Sequence, residues 1–196
     1  MGILGSLARS PARVRPGSIL RGALWLAAIM LLSFPSRGAA APSSSEDVLK
    51  AAFIYSFSKF VEWPDQALNA KKEFCIATLG RTTLDRDLET LSGKTVHDRT
   101  VVFRKLNTPA EAAQCQVLFI GSSELVRIET ILEALKDLPV LTIADSDDFC
   151  RKGGMLSLGR ENARIVFDLN FREMQRGKLK PNPQLLKLAR KIYGRP

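Results

Sequence analysis

Hydrophobic positions follow a helical period soon after residue 45. Leu49, Phe53, Phe57 and Phe60 succeed one another at steps of three and four residues. This spacing predicts an amphipathic helix over about 46–62. Its apolar stripe is either a core-packing face or a partner-docking face. We favour core packing, because a helix face this apolar promotes aggregation when it is left exposed.

Short strand-like runs then alternate with helical segments along the chain. Three of the runs are continuously apolar, namely Cys75–Leu79, Val117–Ile120 and Val140–Ile143. Such strands are typical of a parallel sheet that helices cover on both faces. The pattern predicts an α/β fold, a three-layer doubly wound domain with a mostly parallel sheet. The runs Met155–Leu158 and Arg164–Leu169, joined by a polar turn, predict a C-terminal antiparallel edge hairpin.

The first forty residues have the organisation of a cleavable export signal. A leader with four arginines precedes the apolar run Ala23–Phe34, and the small residues around Ala40 follow it. A membrane-spanning helix needs about 20 apolar residues, and this run has about a dozen. We therefore predict a signal peptide over residues 1–40, cleaved near Ala40, and one working domain over residues 41–196.

Removal of the leader changes the charge balance. The whole chain has 29 basic and 20 acidic residues and a net charge of +9. The first forty residues contain five arginines and no acid, so 24 basic and 20 acidic residues remain, a net charge of +4. Many of these cations lie on or near a predicted C-terminal helix over Pro183–Ile192. They form a solvated face or a patch for a partner or lipid headgroups, and nucleic acid is not an expected partner.

Residues suited to catalysis or metal binding are scarce. His97 is the one histidine, and its polar surroundings indicate a surface position. There is no nucleophile elbow, dinucleotide-binding glycine motif or His/Cys cluster at metal-binding spacing. The acids of residues 145–148 lack the glycine and distal glutamate of a calcium loop, so we interpret them as a turn. No catalytic residue, cofactor or metal is predicted.

The segment Gly121-Ser122-Ser123 follows an apolar strand and precedes a predicted helix. This position binds anions or small ligands in many open α/β sheets, which makes these three residues an alternative ligand site. The simpler interpretation is a helix cap, in which Ser123 accepts hydrogen bonds from amides of the following helix.

Three cysteines permit one disulfide and one free thiol in an exported protein. Cys75 opens the first central strand, and Cys115 lies just before the third. These strands are neighbours in a doubly wound sheet, so we predict a Cys75–Cys115 disulfide and a free Cys150. A bridge that closes a loop of about 40 residues stabilises a protein by about 3–4 kcal/mol.

Five segments in order resemble the YfiR family of periplasmic proteins. The first is Lys50-Ala-Ala-Phe-Ile-Tyr-Ser-Phe-Ser-Lys-Phe-Val-Glu-Trp-Pro64. The resemblance covers about 46–192 and continues through four more segments, at 115–124, 139–143, 149–155 and 165–170.

The resemblance implies a regulatory function without catalysis. YfiR-like proteins bind the periplasmic domain of an inner-membrane diguanylate cyclase and hold it inactive, which restrains cyclic-di-GMP signalling and biofilm formation. An outer-membrane lipoprotein sequesters such regulators, and homodimers are common. The alternative function is a periplasmic small-molecule-binding sensor.

Two residue-level expectations follow from the resemblance. Family members carry a second bridge from the position of Cys150 to a cysteine seven residues later, which is Ser157 here, so this bridge should be absent. For the partner surface we select Leu156, Asp168 and Met174, on the hairpin and the helix after it. The alternative is that these three are ordinary edge residues.

Overall fold

A computed structural model describes residues 44–68 and 72–194 of the chain. The predicted signal peptide over residues 1–40 and its cleavage near Ala40 lie outside the described residues. The elements follow in this order: α1 (Ser45–Phe60), β1 (Val61–Glu62), α2 (Asp65–Leu68), β2 (Glu73–Leu79), α3 (Asp85–Glu89), β3 (Thr95–Val96), β4 (Arg99–Leu106), a first 3-10 helix (Pro109–Gln114), β5 (Val117–Ile120), a second 3-10 helix (Ser122–Arg127), α4 (Ile128–Ala134), β6 (Leu141–Asp145), β7 (Leu156–Glu161), β8 (Arg164–Asn170), α5 (Phe171–Arg176), β9 (Lys180–Pro181), α6 (Pro183–Leu188) and β10 (Lys191–Tyr193).

The main sheet has eight strands in the order β10-β8-β7-β6-β5-β2-β4-β3. Strands β4, β2, β5, β6 and β7 run parallel in register, with Ile76 opposite Val117 and Val117 opposite Leu141. The chain turns to one side of β2 for β4 and to the other side for β5, which is the doubly wound arrangement. The predicted α/β fold with a mostly parallel sheet is confirmed.

The predicted hairpin is present as the antiparallel pair β7 and β8, with Leu156 opposite Leu169. Strand β10 lies parallel to β8 on its other side, so one short strand lies outside the hairpin. The predicted helix over Pro183–Ile192 is therefore wrong beyond Leu188. Its last residues extend along the sheet instead, and the Arg190 amide donates to the Phe167 carbonyl at 2.9 Å.

Helix α1 has a clear start and a clear end. The Ser44 hydroxyl accepts a hydrogen bond from the Asp47 amide at 3.0 Å, which satisfies one free donor of the first turn. Ser44 is thus the N-cap of this helix. The helix ends at Phe60 because Val61 is extended and pairs with Pro181 of β9.

Alternate residues of the central strands divide the core into two faces. The face containing Phe74, Ile76, Phe119 and Ile143 is covered by α1, α3, α5 and α6, and we call it the aromatic face. The face containing Cys75, Ala77, Leu118 and Ile120 is covered by the two 3-10 helices and α4, and we call it the disulfide face. No helix among the described residues has the length and apolar character needed to cross a membrane.

Candidate partner-docking site

Helices α1 and α6 do not close completely over the aromatic face. Between them lies an apolar cavity of about 270 Å³, open to solvent, which we call the docking groove. Its lining includes Leu49, Phe53 and Phe60 from α1, Phe167 from β8, and Leu185 and Leu188 from α6.

The predicted apolar stripe of α1 is divided between core and groove. Phe57 is buried, and its ring meets the Phe167 ring edge-on at a centroid distance of 4.9 Å. Phe53 packs 5.9 Å from Phe57 but remains half-buried, and Leu49 is 46% exposed. Each aromatic pair is worth about 0.5–1.5 kcal/mol beyond area burial, so the floor of the docking groove is firmly packed. The stripe is therefore divided, with Phe57 in the core and Leu49 and Phe53 accessible beside the groove.

Exposed apolar side chains are concentrated beside the docking groove. Four large hydrophobic residues of the described ranges are exposed: Val48, Leu49, Val126 and Leu188. Three of them lie on α1 or α6, and Leu188 is 71% exposed. Val126 is separate, on the second 3-10 helix. Clustered exposed apolar surface is typical of an interaction site, whereas a single exposed residue such as Val126 needs no functional explanation.

A buried lysine ties α1 to the last residue of β6, where the loop before β7 begins. The Lys50 ammonium lies 2.5 Å from an Asp145 oxygen and 2.7 Å from a Glu46 oxygen. Burial lowers the pKa of Lys50, but the hydrogen bonds to Asp145 and Glu46 outweigh burial, so the pKa is raised. The hydrogen bond from Lys50 in turn lowers the pKa of Glu46.

A second ion cluster ties the segment after α6 to the same loop. Arg190 Nε lies 2.8 Å from Asp168 Oδ1, and its Nη2 donates to Asp168 Oδ2 at 2.9 Å and to Asp147 Oδ1 at 3.1 Å. The hydrogen bonds with Asp168 raise the pKa of Arg190. Both walls of the docking groove are thus tied to the end of β6 or to the loop that follows it, through Asp145 and Asp147.

The acids of residues 145–148 all form ion pairs with cations of the chain. Asp148 pairs with Arg151, in addition to the pairs of Asp145 and Asp147 described above. Among the described residues, no group of three or more His, Cys, Asp or Glu side chains is placed to hold a metal ion.

The three residues selected for partner binding are in the interior. Leu156 and Met174 are fully buried in the core of the aromatic face, and Asp168 is 2% exposed and paired with Arg190. Their side chains offer no surface to a partner in this structure. The Asp168 carboxylate instead contacts Arg190, two residues after the end of α6.

The alternative ligand site lies where the loops after β2 and β5 pack together. A β-carbon at Gly121 would lie 2.4 Å from the Arg81 carbonyl oxygen, so this close approach requires glycine. The Ser123 hydroxyl accepts from the Arg81 amide at 2.9 Å and not from an amide of its own helix, so the predicted helix cap is wrong. Ser122 borders a cavity of about 140 Å³ beside Thr82.

The predicted Cys75–Cys115 disulfide is confirmed. The two Cα atoms lie 4.6 Å apart, and both residues are buried at the start of neighbouring strands. The adjacent Gln116 side chain strengthens this end of the sheet, because its Oε1 accepts from the Cys75 amide at 2.8 Å and its Nε2 donates to Ala67 at 3.1 Å.

Cys150 is a free, buried thiol. The Ser157 hydroxyl accepts a hydrogen bond from the Cys150 amide at 3.0 Å, and the thiol lies 3.4 Å from the Asp168 carbonyl oxygen. A hydrogen bond thus takes the place of a second bridge at this position. Burial raises the pKa of the Cys150 thiol to about 11.

His97 is half-buried instead of lying on the open surface. Its Nε2 is 2.9 Å from the Val61 carbonyl oxygen, and its ring lies 5.8 Å from the Trp63 ring. The imidazole therefore has a structural role next to the end of α1.

Leu188 is the docking-groove residue that the sequence analysis missed. It lies on the predicted C-terminal helix, for which the sequence analysis considers only the charged residues. The available signal was the run Leu185-Leu186-Lys-Leu188, which places leucine on more of a short helix than one buried face needs.

Two solved structures are similar to this chain at low sequence identity. A conserved domain protein from Vibrio cholerae O1 biovar eltor is 11% identical, with a TM-score of 0.49 over 72% of this chain and 59% of its own. An ABC domain from Streptococcus pneumonia, in complex with L-Trp, is 9% identical, with a TM-score of 0.50 over 74% of this chain and 60% of its own. The chain thus spans about three-fifths of the length of these structures.

A family model gives a more specific assignment. The model for YfiR/HmsC-like proteins matches residues 47–190, which include every element from α1 to α6. This match confirms the resemblance found in the five sequence segments. The chain belongs to the YfiR/HmsC-like family.

Proposed function

We propose that this protein is an exported regulator, without enzymatic activity, that acts in the periplasm. It binds the periplasmic domain of an inner-membrane diguanylate cyclase and holds the cyclase inactive, which restrains cyclic-di-GMP signalling and biofilm formation. The family match over residues 47–190 carries this proposal. Release through an outer-membrane lipoprotein and assembly into a homodimer complete the proposed cycle.

The docking groove supports a function based on binding. Phe53 and Phe60 remain half-buried and Leu188 exposed beside the buried core of the aromatic face. A partner side chain that entered the groove would bury this apolar surface and gain about 25 cal/mol per Å². Such binding needs no reactive group, because a regulator that prefers the inactive conformation of its partner shifts the equilibrium by its difference in affinity.

A small-molecule sensor is the second candidate function. Its site would be the cavity beside Gly121, Ser122 and Ser123, which measures about 140 Å³. Pockets for drug-sized ligands are typically about 300–1,000 Å³, so this cavity fits only a ligand of a few heavy atoms. The size difference favours partner binding over small-molecule sensing.

Reconstituted binding tests the proposed function. The periplasmic domains of the membrane diguanylate cyclases from the source organism are purified and titrated with the mature chain in a calorimeter. We expect one domain to bind in the micromolar range or tighter, which corresponds to about −8 kcal/mol. In proteoliposomes, the full-length form of that cyclase should lose activity when the chain is added on its periplasmic side.

Absence of binding to every such domain contradicts the proposal. A small-ligand function is tested in parallel by thermal unfolding with free amino acids and nucleotides at millimolar concentration. A rise in the melting temperature that Ser122→Trp abolishes would support the sensor function instead, because the larger side chain fills the cavity.

A further inference from the structure

One wall of the docking groove belongs to a segment without acidic residues. Glu173 is the last acid in the sequence, and α6 begins ten residues after it. The cations that follow Glu173 are Arg176, Lys178, Lys180, Lys187, Arg190, Lys191 and Arg195. Lys187 adjoins the exposed Leu188 and is itself exposed.

The acids of the opposite wall are directed toward groups of this chain. On α1, Glu46 contacts Lys50 at 2.7 Å and Arg160 at 3.1 Å, and Asp47 accepts from the Thr83 hydroxyl at 3.1 Å. The exposed cation of α1 is Lys59, whose ammonium lies 4.5 Å from the centre of the Tyr55 ring. Lys59 and Lys187, the charged side chains of α1 and α6 for which the structure shows no ion pair with an acid of the described residues and no hydrogen bond, are both cations.

The shape of the docking groove decides between two anionic partners, a lipid surface and an acidic helix. A protein that lies on anionic lipid presents a protruding apolar face that enters the headgroup region. Here the aromatic side chains line a concave space between two helices, which is the geometry that receives side chains of an inserted helix. From Leu49 to Phe60 the groove wall spans about 16 Å at 1.5 Å per residue, the length of three helical turns.

We propose that the docking groove binds an amphipathic helix of about three turns from the partner protein, with bulky apolar side chains on one face and Asp or Glu on its flanks. The apolar side chains enter between α1 and α6, and the acids approach Lys59 and Lys187. This inference rests on the proposed function, in which the partner is the cyclase domain. It adds the chemistry that the partner must present.

Charge reversal at the rim tests this chemistry on the cyclase domain that binds the wild-type chain. Lys59→Glu/Lys187→Glu should weaken binding on the order of tenfold, mainly through slower association, and should remove most of the salt dependence. Leu188→Asp should weaken binding by at least about tenfold. The matched controls are Lys152→Glu, an exposed lysine of the loop after β6, and Val126→Asp on the second 3-10 helix; both should bind like the wild type.

The outcomes separate the inference from the proposed function. If a cyclase domain binds the wild type but neither the rim nor the Leu188 variant changes its affinity, the inference is overturned and the proposed function stands. If no cyclase domain binds, the proposed function is overturned. The inference is then decided by helical peptides of 12 residues that share one apolar face and carry either Glu or Lys on their flanks.

The peptide with Glu flanks should bind on the order of tenfold more tightly than the peptide with Lys flanks, and Leu188→Asp should abolish the difference. Equal affinity, or no binding of either peptide, overturns the inference. Two further results also contradict it. One is concentration-dependent dimerisation in sedimentation that Leu188→Asp abolishes, and the other is Leu188-dependent binding to vesicles containing phosphatidylglycerol.

Discussion

The two faces of the sheet are built from the same strands but are covered differently by helices and loops. The disulfide face is covered by the two 3-10 helices, α4 and the loops, and the Cys75–Cys115 bridge lies near the start of two of its central strands. The aromatic face has the larger core, yet Phe53, Phe60 and Leu188 remain accessible between its covering helices. Apolar surface that stays exposed adds nothing to the stability of the fold. Contiguous exposed apolar patches are typical of interaction sites. In the proposed function, the accessible part of the aromatic face is the surface that binds the partner.

Removal of the disulfide should produce the largest loss of stability. In Cys75→Ala/Cys115→Ala the unfolded chain is no longer constrained, and the free energy of unfolding should fall by about 3–4 kcal/mol. Denaturant unfolding under non-reducing conditions measures this loss. Partner affinity should be retained at temperatures where the variant is folded, because the docking groove lies on the other face. An unchanged unfolding midpoint would contradict this part of the account.

The two ion clusters that hold the walls of the docking groove should respond unequally to the loss of their cation. Arg190→Met leaves the Asp168 carboxylate buried and without its arginine, which should cost about 3 kcal/mol. Lys50→Met removes the buried member of its cluster and leaves Asp145 and Glu46 accessible to water, so the cost should be below about 1 kcal/mol. Equal losses in chemical denaturation would show that burial does not decide the effect.

Cys150 should give the protein a pH-dependent stability. The pKa of the thiol is raised by burial from 9.0 to about 11 in the folded protein. Folding therefore favours the neutral thiol, and its stabilisation is complete below pH 9 and is lost as the pH rises toward 11. The loss should reach about 2–3 kcal/mol, since each tenfold change in proton affinity corresponds to about 1.4 kcal/mol.

Unfolding of the wild type and of Cys150→Ala between pH 7 and pH 11 isolates this effect from other groups that titrate in the same range. The stability difference between the two proteins should shrink as the pH rises. A difference that stays constant over this range would show that the thiol is not the responsible group.

Substitutions in the docking groove should have the smallest effect on stability. Leu188 is mostly exposed, so Leu188→Asp should change the free energy of unfolding by no more than about 0.5 kcal/mol. The matched control is Val126→Asp, at a residue that is 97% exposed and lies on the second 3-10 helix, over the disulfide face. A large loss of stability in Leu188→Asp alone would indicate that the aromatic face also depends on this residue for folding.

The sequence predicted the parts of the fold that local patterning specifies. The strand Val117–Ile120 was predicted with its observed bounds, because a continuous apolar run leaves few alternatives. The pairing of Cys75 with Cys115 followed from the order of the strands. These features depend on short segments and on topology.

Long-range contacts account for what the sequence did not reveal. The predicted C-terminal helix was too long because its last residues add to the sheet and place Arg190 on Asp168, which lies 22 positions earlier. Met174 was predicted as surface, but the packing of α5 on the sheet buries it. The docking groove is formed by α1 and α6, which are more than a hundred residues apart. The sequence alone therefore does not show that their side chains lie together.

Complementation in cells tests the central claim most directly, that the accessible part of the aromatic face holds the cyclase inactive. The gene is deleted in the source organism and replaced by the wild type, Leu188→Asp or Val126→Asp at matched protein levels, and cyclic-di-GMP is quantified. The account predicts a raised level in the deletion strain, restored to normal by the wild type and by Val126→Asp but not by Leu188→Asp. An unchanged level in the deletion strain, or full restoration by Leu188→Asp, would contradict it.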